Sequence, residues 1–108
     1  MKIQINTDHN ITGHEALVVK VRDQIENTLS RISEHVTRLE VHLSDENGNK
    51  NNLNDKRCMI EARLEGQKPL AVTNQSSSIE QAVDGASEKM LRMIESKLGR
   101  IRDKKAIE

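Results

Sequence analysis

The chain has 108 residues, of which 17 are Lys or Arg, 17 are Asp or Glu, and none is Phe, Tyr or Trp. This length is typical of one small domain, and no apolar run approaches the roughly 20 residues that span a bilayer. We therefore expect a single cytoplasmic domain over residues 1–102, with no membrane contact and a frayed tail at 103–108. A core without aromatic rings leaves little room for a large enclosed pocket, which argues against an enzyme with a small-molecule substrate. The missing rings also exclude base stacking on aromatic platforms.

The first half of the chain predicts a strand, a helix and a second strand. Residues 2–6 alternate polar with apolar, so that Ile3 and Ile5 face inward. Residues 12–15 have the Thr-x-x-Glu form of a capping box, and the helix that follows is expected to end at about residue 32. Its apolar stripe consists of Leu17, Val18, Val21, Ile25, Leu29 and Ile32. The second strand alternates inward Leu39, Val41 and Leu43 with outward Arg38, Glu40 and His42.

The second half predicts two more strands and a long helix. Residues 44–55 form an Asn-rich loop with a turn signal at Asn47-Gly48. The third strand follows, and the fourth begins after Pro69. Their inward residues are Cys58, Ile60, Ala62, Leu64, Leu70 and Val72. The last helix opens with a capping box at Ser77 or Ser78. Its apolar residues are Ile79, Ala82, Val83, Ala86, Met90, Met93, Ile94 and Ile101.

This element order, β-α-β-β-β-α, defines the expected fold. Two strands joined through a helix are parallel with a right-handed crossover, whereas strands joined by short turns form an antiparallel meander. Because each strand alternates, one sheet face is solvated and both helices cover the other. We predict an α+β two-layer sandwich, in which a four-stranded sheet carries two helices on one face.

No pattern of catalytic or metal-ligating residues stands out. Cys58 is the only cysteine, and its strand phase directs it into the core, where a thiol is inert. The histidines lack the spacing of metal ligands; they are His9, His14, His35 and His42. The glycines are isolated, so there is no phosphate-binding loop, and no pair of carboxylates stands out as an acid and a base. We expect no enzymatic activity, no metal and no cofactor.

The informative pattern is the sorting of charge around the two helices, which are expected to run parallel. Residues 1–55 carry 6 basic and 9 acidic residues, and residues 56–108 carry 11 and 8, so the halves have charges of about −3 and +3. At 100° per residue, one flank of the last helix holds Gly85, Lys89, Arg92, Ser96 and Arg100, and the other holds Asp84, Glu88 and Glu95. One flank of the first helix holds Lys20, Gln24, Asn27 and Arg31, and the other holds Arg22, Asp23 and Glu26.

Two interpretations of these flanks stay open. Basic and amide side chains on neighbouring helices are suited to hold a phosphate backbone, because Lys and Arg neutralise phosphates and Gln and Asn add hydrogen bonds. Alternatively, they are ordinary solvated faces, with Glu88 and Arg92 forming a weak i, i+4 ion pair.

The chain resembles the ribosome hibernation-promoting factor and ribosome-associated inhibitor family, also called sigma-54 modulation proteins, in its short form. Besides length and element order, the resemblance rests on Asn10-Ile11-Thr12 before Glu15-Ala16-Leu17, on Arg38-Leu39-Glu40-Val41-His42-Leu43, and on Ala82-Val83-Asp84-Gly85-Ala86 running into Lys89-Met90-Leu91-Arg92. The resemblance implies a protein that binds the small ribosomal subunit in the mRNA and tRNA channel and silences idle ribosomes under stress or in stationary phase.

The resemblance also implies which residues contact ribosomal RNA. Lys89 and Arg92 match the family's Lys-Leu-x-Arg, and Arg100 lies near a common basic position. Ser96, Gln24 and Asn27 stand where lysine is common, and Lys20 and Arg31 are approximate matches. The short form implies that any ribosome pairing needs a second hibernation factor. The alternative is a family-derived protein-interaction module that no longer binds the ribosome, which the acidic flank and the mixed charges of the open sheet face favour.

Overall fold

The computed structural model describes residues 1–8, 11, 14–46 and 55–107, without the side chains of 103–107. Its elements are β1 (Lys2–Thr7), α1 (His14–Thr28), a 3-10 helix (Ser30–His35), β2 (Val36–Asp45), β3 (Lys56–Leu64), β4 (Leu70–Ser76) and α2 (Ile79–Ile107). The predicted order of strands and main helices is confirmed. The Thr12 capping box, His9 and the Asn47-Gly48 turn lie outside the described residues.

The four strands form one sheet in the order β1-β2-β3-β4. β1 pairs with β2 in parallel, and β2, β3 and β4 pair antiparallel, as predicted. The register aligns Ile5, Val41, Ile60 and Val72 in one row across all four strands. Since strand side chains alternate between faces, this row marks the face on which α1 and α2 pack.

The core lies between that face and the two helices. The inward residues predicted for β2 and β3 are all buried: Leu39, Val41, Leu43, Cys58, Ile60, Ala62 and Leu64. From the helices, Val21, Ile25, Val83, Met90 and Ile94 are also buried. Aliphatic side chains, one methionine and the Cys58 thiol therefore fill the centre of the two-layer sandwich, and the opposite sheet face carries mostly polar residues.

Three details differ from the sequence prediction. The α-helix ends at Thr28, because Leu29 takes φ −99° and ψ 12° and starts a 3-10 helix; the i, i+3 spacing of that tighter turn still buries both Leu29 and Ile32. α2 extends to Ile107, beyond Ile101, the last apolar residue that the sequence pattern assigned to this helix. Met93, assigned to the core, is 38% exposed, because its position on α2 is at the margin of the apolar stripe.

The start of α2 is fixed by a side-chain cap and by a close approach to β4. The Gln81 N–H donates to Ser78 Oγ over 3.1 Å, so Ser78 is the N-cap, but the box is not completed, because Gln81 Oε1 accepts from the Ser77 hydroxyl over 2.8 Å instead. One turn later, α2 passes so close to β4 that a Cβ on Gly85 would lie 2.1 Å from Asn74 Nδ2. Asn74 Nδ2 in turn donates to the carbonyl of Ala82 over 3.4 Å. A residue without a side chain at position 85 therefore sets the distance between α2 and the sheet.

The two edge strands each offer a backbone carbonyl to a helix cation. On β1, Ile3 O accepts a hydrogen bond from Arg22 Nη2 over 3.3 Å. On β4, Thr73 O accepts one from Lys89 Nζ over 2.9 Å. Long basic side chains from the helix layer thus reach around both edges of the sheet.

Candidate nucleic-acid interface

Polar contacts join α1 to α2 along their shared boundary. Lys20 Nζ lies 4.0 Å from Glu80 Oε2. Gln24 Nε2 donates to the Glu80 carbonyl over 2.9 Å and to Asp84 Oδ1 over 3.3 Å. Residue numbers increase together on both helices, so the helices run parallel, as expected.

The same boundary ends in a two-pronged ion pair. Arg31, just beyond α1, approaches Glu95 with Nε–Oε2 at 2.9 Å and Nη2–Oε1 at 3.1 Å. A guanidinium that meets both oxygens of a carboxylate makes the strongest form of ion pair between side chains. We call the contacts of Lys20, Gln24 and Arg31 with Glu80, Asp84 and Glu95 the interhelical ladder.

The ladder shows which way the predicted flanks face. The flank of α1 with Lys20, Gln24 and Arg31 is directed at the acidic flank of α2. The basic flank of α2 lies on the other side of that helix, where Lys89 reaches Thr73 on edge strand β4. The structure therefore does not join the two predicted basic stripes into one surface, because the acidic flank of α2 runs between them.

The basic flank of α2 is open to solvent. Lys89, Arg92, Ser96 and Arg100 are all exposed, and at 1.5 Å per residue they follow about 16 Å of the helix axis. Arg100 Nη1 donates to Ser96 Oγ over 3.4 Å. Among the described residues Arg92 has no hydrogen-bond or ion-pair partner, so the predicted pair with Glu88 does not form.

Two further residues lie beside this flank, and the sequence pattern assigned neither of them to it. Exposed Met93 is four residues after Lys89, and at 100° per residue it lies only 40° away around the helix. Lys97, partly buried, comes one turn after Met93. The helical spacing that assigned Met93 to the core also places it next to Lys89 around the helix. That neighbourhood is the feature of the sequence that could have indicated its position on this flank. Asn27, on α1, is exposed and bonds to no described residue.

The outer sheet face carries charges that are paired within the face. Arg38 Nη2 lies 2.9 Å from Glu40 Oε1, and Arg63 Nε lies 3.7 Å from Glu61 Oε1. His42 Nε2 lies 3.9 Å from the other oxygen of Glu40. Arg38 and Arg63 thus each lie near a carboxylate of the same face, in contrast to Arg92 on α2.

Two reactive side chains among the described residues, Cys58 and Lys56, have raised pKa values. Burial raises the pKa of the Cys58 thiol to about 12, so it stays protonated in the core, as predicted. At the end of the sheet, Lys56 Nζ lies 3.0 Å from Asp55 Oδ1 and 3.2 Å from Asp45 Oδ2. The hydrogen bond to Asp55 is the main cause that raises the Lys56 pKa.

Two further kinds of feature are absent from the described residues. They contain no group of three or more His, Cys, Asp or Glu side chains arranged to hold a metal ion. None of the helices in the described ranges is both long and apolar enough to cross a membrane.

The fold and the exposed flank of α2 define the class of protein. It is an α+β sandwich in which one layer consists of two helices with charged outer surfaces. The model of the family described as Sigma 54 modulation protein / S30EA ribosomal protein matches residues 3–102, and the chain belongs to this family. The resemblance seen in the sequence is thereby confirmed.

Solved structures show the same fold. A ribosomal subunit interface protein from Coxiella burnetii superposes with a TM-score of 0.68 at 18% identity, over 92% of this chain and 99% of the other. The N-terminal domain of Protein Y from Thermus thermophilus superposes with a TM-score of 0.62 at 20% identity, over 87% of this chain and 96% of the other. No curated protein sequence matches the chain.

Proposed function

We propose that this protein is a translation inhibitor that binds the small ribosomal subunit in the mRNA and tRNA channel and silences idle ribosomes under stress or in stationary phase. It acts in the cytoplasm, without enzymatic chemistry, and a second hibernation factor is a further candidate partner. Family membership supports a ribosomal partner. The observation that carries the RNA-binding part is the exposed basic flank of α2, where Arg92 has no partner among the described residues.

Inhibition by occlusion needs affinity and shape, and the helix layer supplies both. Lys89, Arg92 and Arg100 neutralise phosphates of ribosomal RNA, and Ser96 donates a hydrogen bond to phosphate or sugar. On the α1 side, which the acidic flank of α2 separates from these residues, Asn27 adds a neutral hydrogen bond, and Lys20, Gln24 and Arg31 form a second set of contacts. Without aromatic rings the protein recognises the RNA backbone and its shape.

Co-sedimentation with purified ribosomes at low and moderate salt tests this proposal. We expect the wild-type protein to travel with the small subunit, and Lys89→Glu combined with Arg92→Glu to abolish co-sedimentation. The matched control reverses two cations on the outer sheet face, Arg57→Glu with Arg63→Glu, and should still bind. Circular dichroism of each variant checks that the domain is folded.

The outcomes separate the possibilities. Absence of wild-type co-sedimentation at both salt concentrations refutes ribosome binding. Equal binding by the α2 variant and the control moves the interface away from α2. The milder double variant Lys89→Gln with Arg92→Gln removes two phosphate contacts without adding negative charge. Affinity should then fall less steeply with salt, and the slope of log affinity against log salt should be shallower by about 1.4–1.8.

A protein-interaction module is the second candidate, and the mixed charges of the outer sheet face favour it. Arg38, Glu40, Glu61 and Arg63 present both signs close together, which suits a protein surface better than a polyanion. A pull-down from cell extract treated with nuclease discriminates the two. A protein partner retained after nuclease supports the module, whereas loss of every partner counts against it.

A further inference from the structure

We infer that Glu95, and more weakly Glu80, limits the affinity for RNA by holding basic residues of the α1 side within the interhelical ladder. This inference rests on the proposed function, since it concerns how strongly that interface binds phosphate. It divides the predicted contacts into two groups. Within the described residues, the cations on the basic flank of α2 form no ion pair with a carboxylate, whereas Arg31 and Lys20 do.

The Arg31–Glu95 pair carries the argument. Two nitrogens of the guanidinium meet both carboxylate oxygens at 2.9 and 3.1 Å, so the charge of Arg31 is matched at short range. The pair is reachable by RNA, since the Arg31 side chain is 67% exposed. A phosphate that approaches Arg31 must displace Glu95 or accept a carboxylate as neighbour, and like charges at such distances repel. Glu95 therefore removes one phosphate contact from the interface.

The Lys20–Glu80 pair is a weaker version of the same contact. Its single distance is 4.0 Å, and both side chains are about 70% exposed, so water competes with the pair. Between the two pairs, Gln24 bonds to the Glu80 carbonyl and to Asp84, which keeps the acidic flank against α1. Because the Gln24 side chain is a neutral amide, its contact with Asp84 does not occupy a basic residue of the α1 side. We therefore expect the effect of Glu95 to exceed that of Glu80.

The test compares Glu95→Gln with Glu61→Gln in ribosome binding at 50–200 mM salt. Both changes remove one carboxylate that faces an arginine, but Glu61 lies on the opposite sheet face beside Arg63. We expect Glu95→Gln to raise affinity and to steepen the salt slope by about 0.7–0.9, as one added phosphate contact does. Between 50 and 200 mM salt, a slope steeper by this amount means that the affinity of Glu95→Gln falls by a factor about three times larger than that of wild type. Glu61→Gln should leave the slope unchanged.

A double-mutant cycle with Arg31→Gln shows whether the gain passes through Arg31. In the Arg31→Gln background, Glu95→Gln should no longer steepen the salt slope. The inference is overturned if wild type binds and Glu95→Gln matches Glu61→Gln, or if the gain persists without Arg31; the proposed function then stands. If neither wild type nor Glu95→Gln binds ribosomes at any salt concentration, the inference and the proposed function are both refuted.

Discussion

Replacement of Gly85 by alanine should destabilise the protein, although alanine is normally the better helix former. In an open helix interior the change stabilises by about 1 kcal/mol. Here the new Cβ would lie 2.1 Å from Asn74 Nδ2 and 2.6 Å from Asn74 Cγ, so either this side chain or α2 has to move. Overpacking of this kind costs about 1–3 kcal/mol.

The displaced Asn74 side chain adds a second cost. Its hydrogen bond to the Ala82 carbonyl is lost, which removes about 0.5–1.5 kcal/mol. The overpacking and the lost hydrogen bond together exceed the gain in helix propensity from glycine to alanine. We therefore expect Gly85→Ala to lower the free energy of unfolding by about 1–3 kcal/mol. Gly99→Ala is the matched control, because it lies in the same helix and a Cβ there meets nothing within 4 Å. That substitution should stabilise by up to about 1 kcal/mol.

Thermal unfolding followed by circular dichroism measures the difference. A gap of about 2 kcal/mol between the two variants corresponds to roughly 10 °C in Tm for a domain of this size. In an Asn74→Ala background, Gly85→Ala should become stabilising, because the obstructing side chain is gone. If Gly85→Ala raises Tm as much as Gly99→Ala does, the close approach of α2 to β4 is refuted.

Two further predictions concern the core thiol and the helix cap. The Cys58 pKa of about 12 lies above the unfolded value of 9.0, so its contribution to stability is complete below pH 9 and is lost as pH rises toward 12. In denaturation series, the unfolding free energy of wild type should fall more over that range than that of Cys58→Ala; equal falls would contradict the burial argument. Ser78→Ala should cost about 1 kcal/mol in urea unfolding, whereas exposed Ser96→Ala in the same helix should cost nothing, and equal losses would exclude a cap.

Periodicity was sufficient to predict the layers of this fold. The alternation of Leu39, Val41 and Leu43 depends only on strand geometry, and the structure buries all three. The end of α1 was not predictable in the same way, because Leu29 and Ile32 fit the apolar spacing of an α-helix and of a 3-10 turn equally.

The sequence pattern identified the charged flanks of the two helices but not how those flanks meet. A helical projection places Arg31 and Glu95 at angles around their own axes, and it contains no information on which neighbour each flank meets. Only the packing of α1 against α2 shows that these two residues form a pair. The segregation of charge was therefore visible in the sequence, whereas the cancellation of part of it across the boundary was not.

The contacts of Arg22 with Ile3 O and Lys89 with Thr73 O have a consequence for behaviour at high concentration. Edge strands with free carbonyls invite strands of other molecules, which leads to aggregation. Here an incoming strand meets a positive charge already bonded to the carbonyl it needs, on both sides of the sheet. One carbonyl on each edge strand is therefore already occupied, and an added strand would have to displace the Arg22 or Lys89 side chain to bond to it.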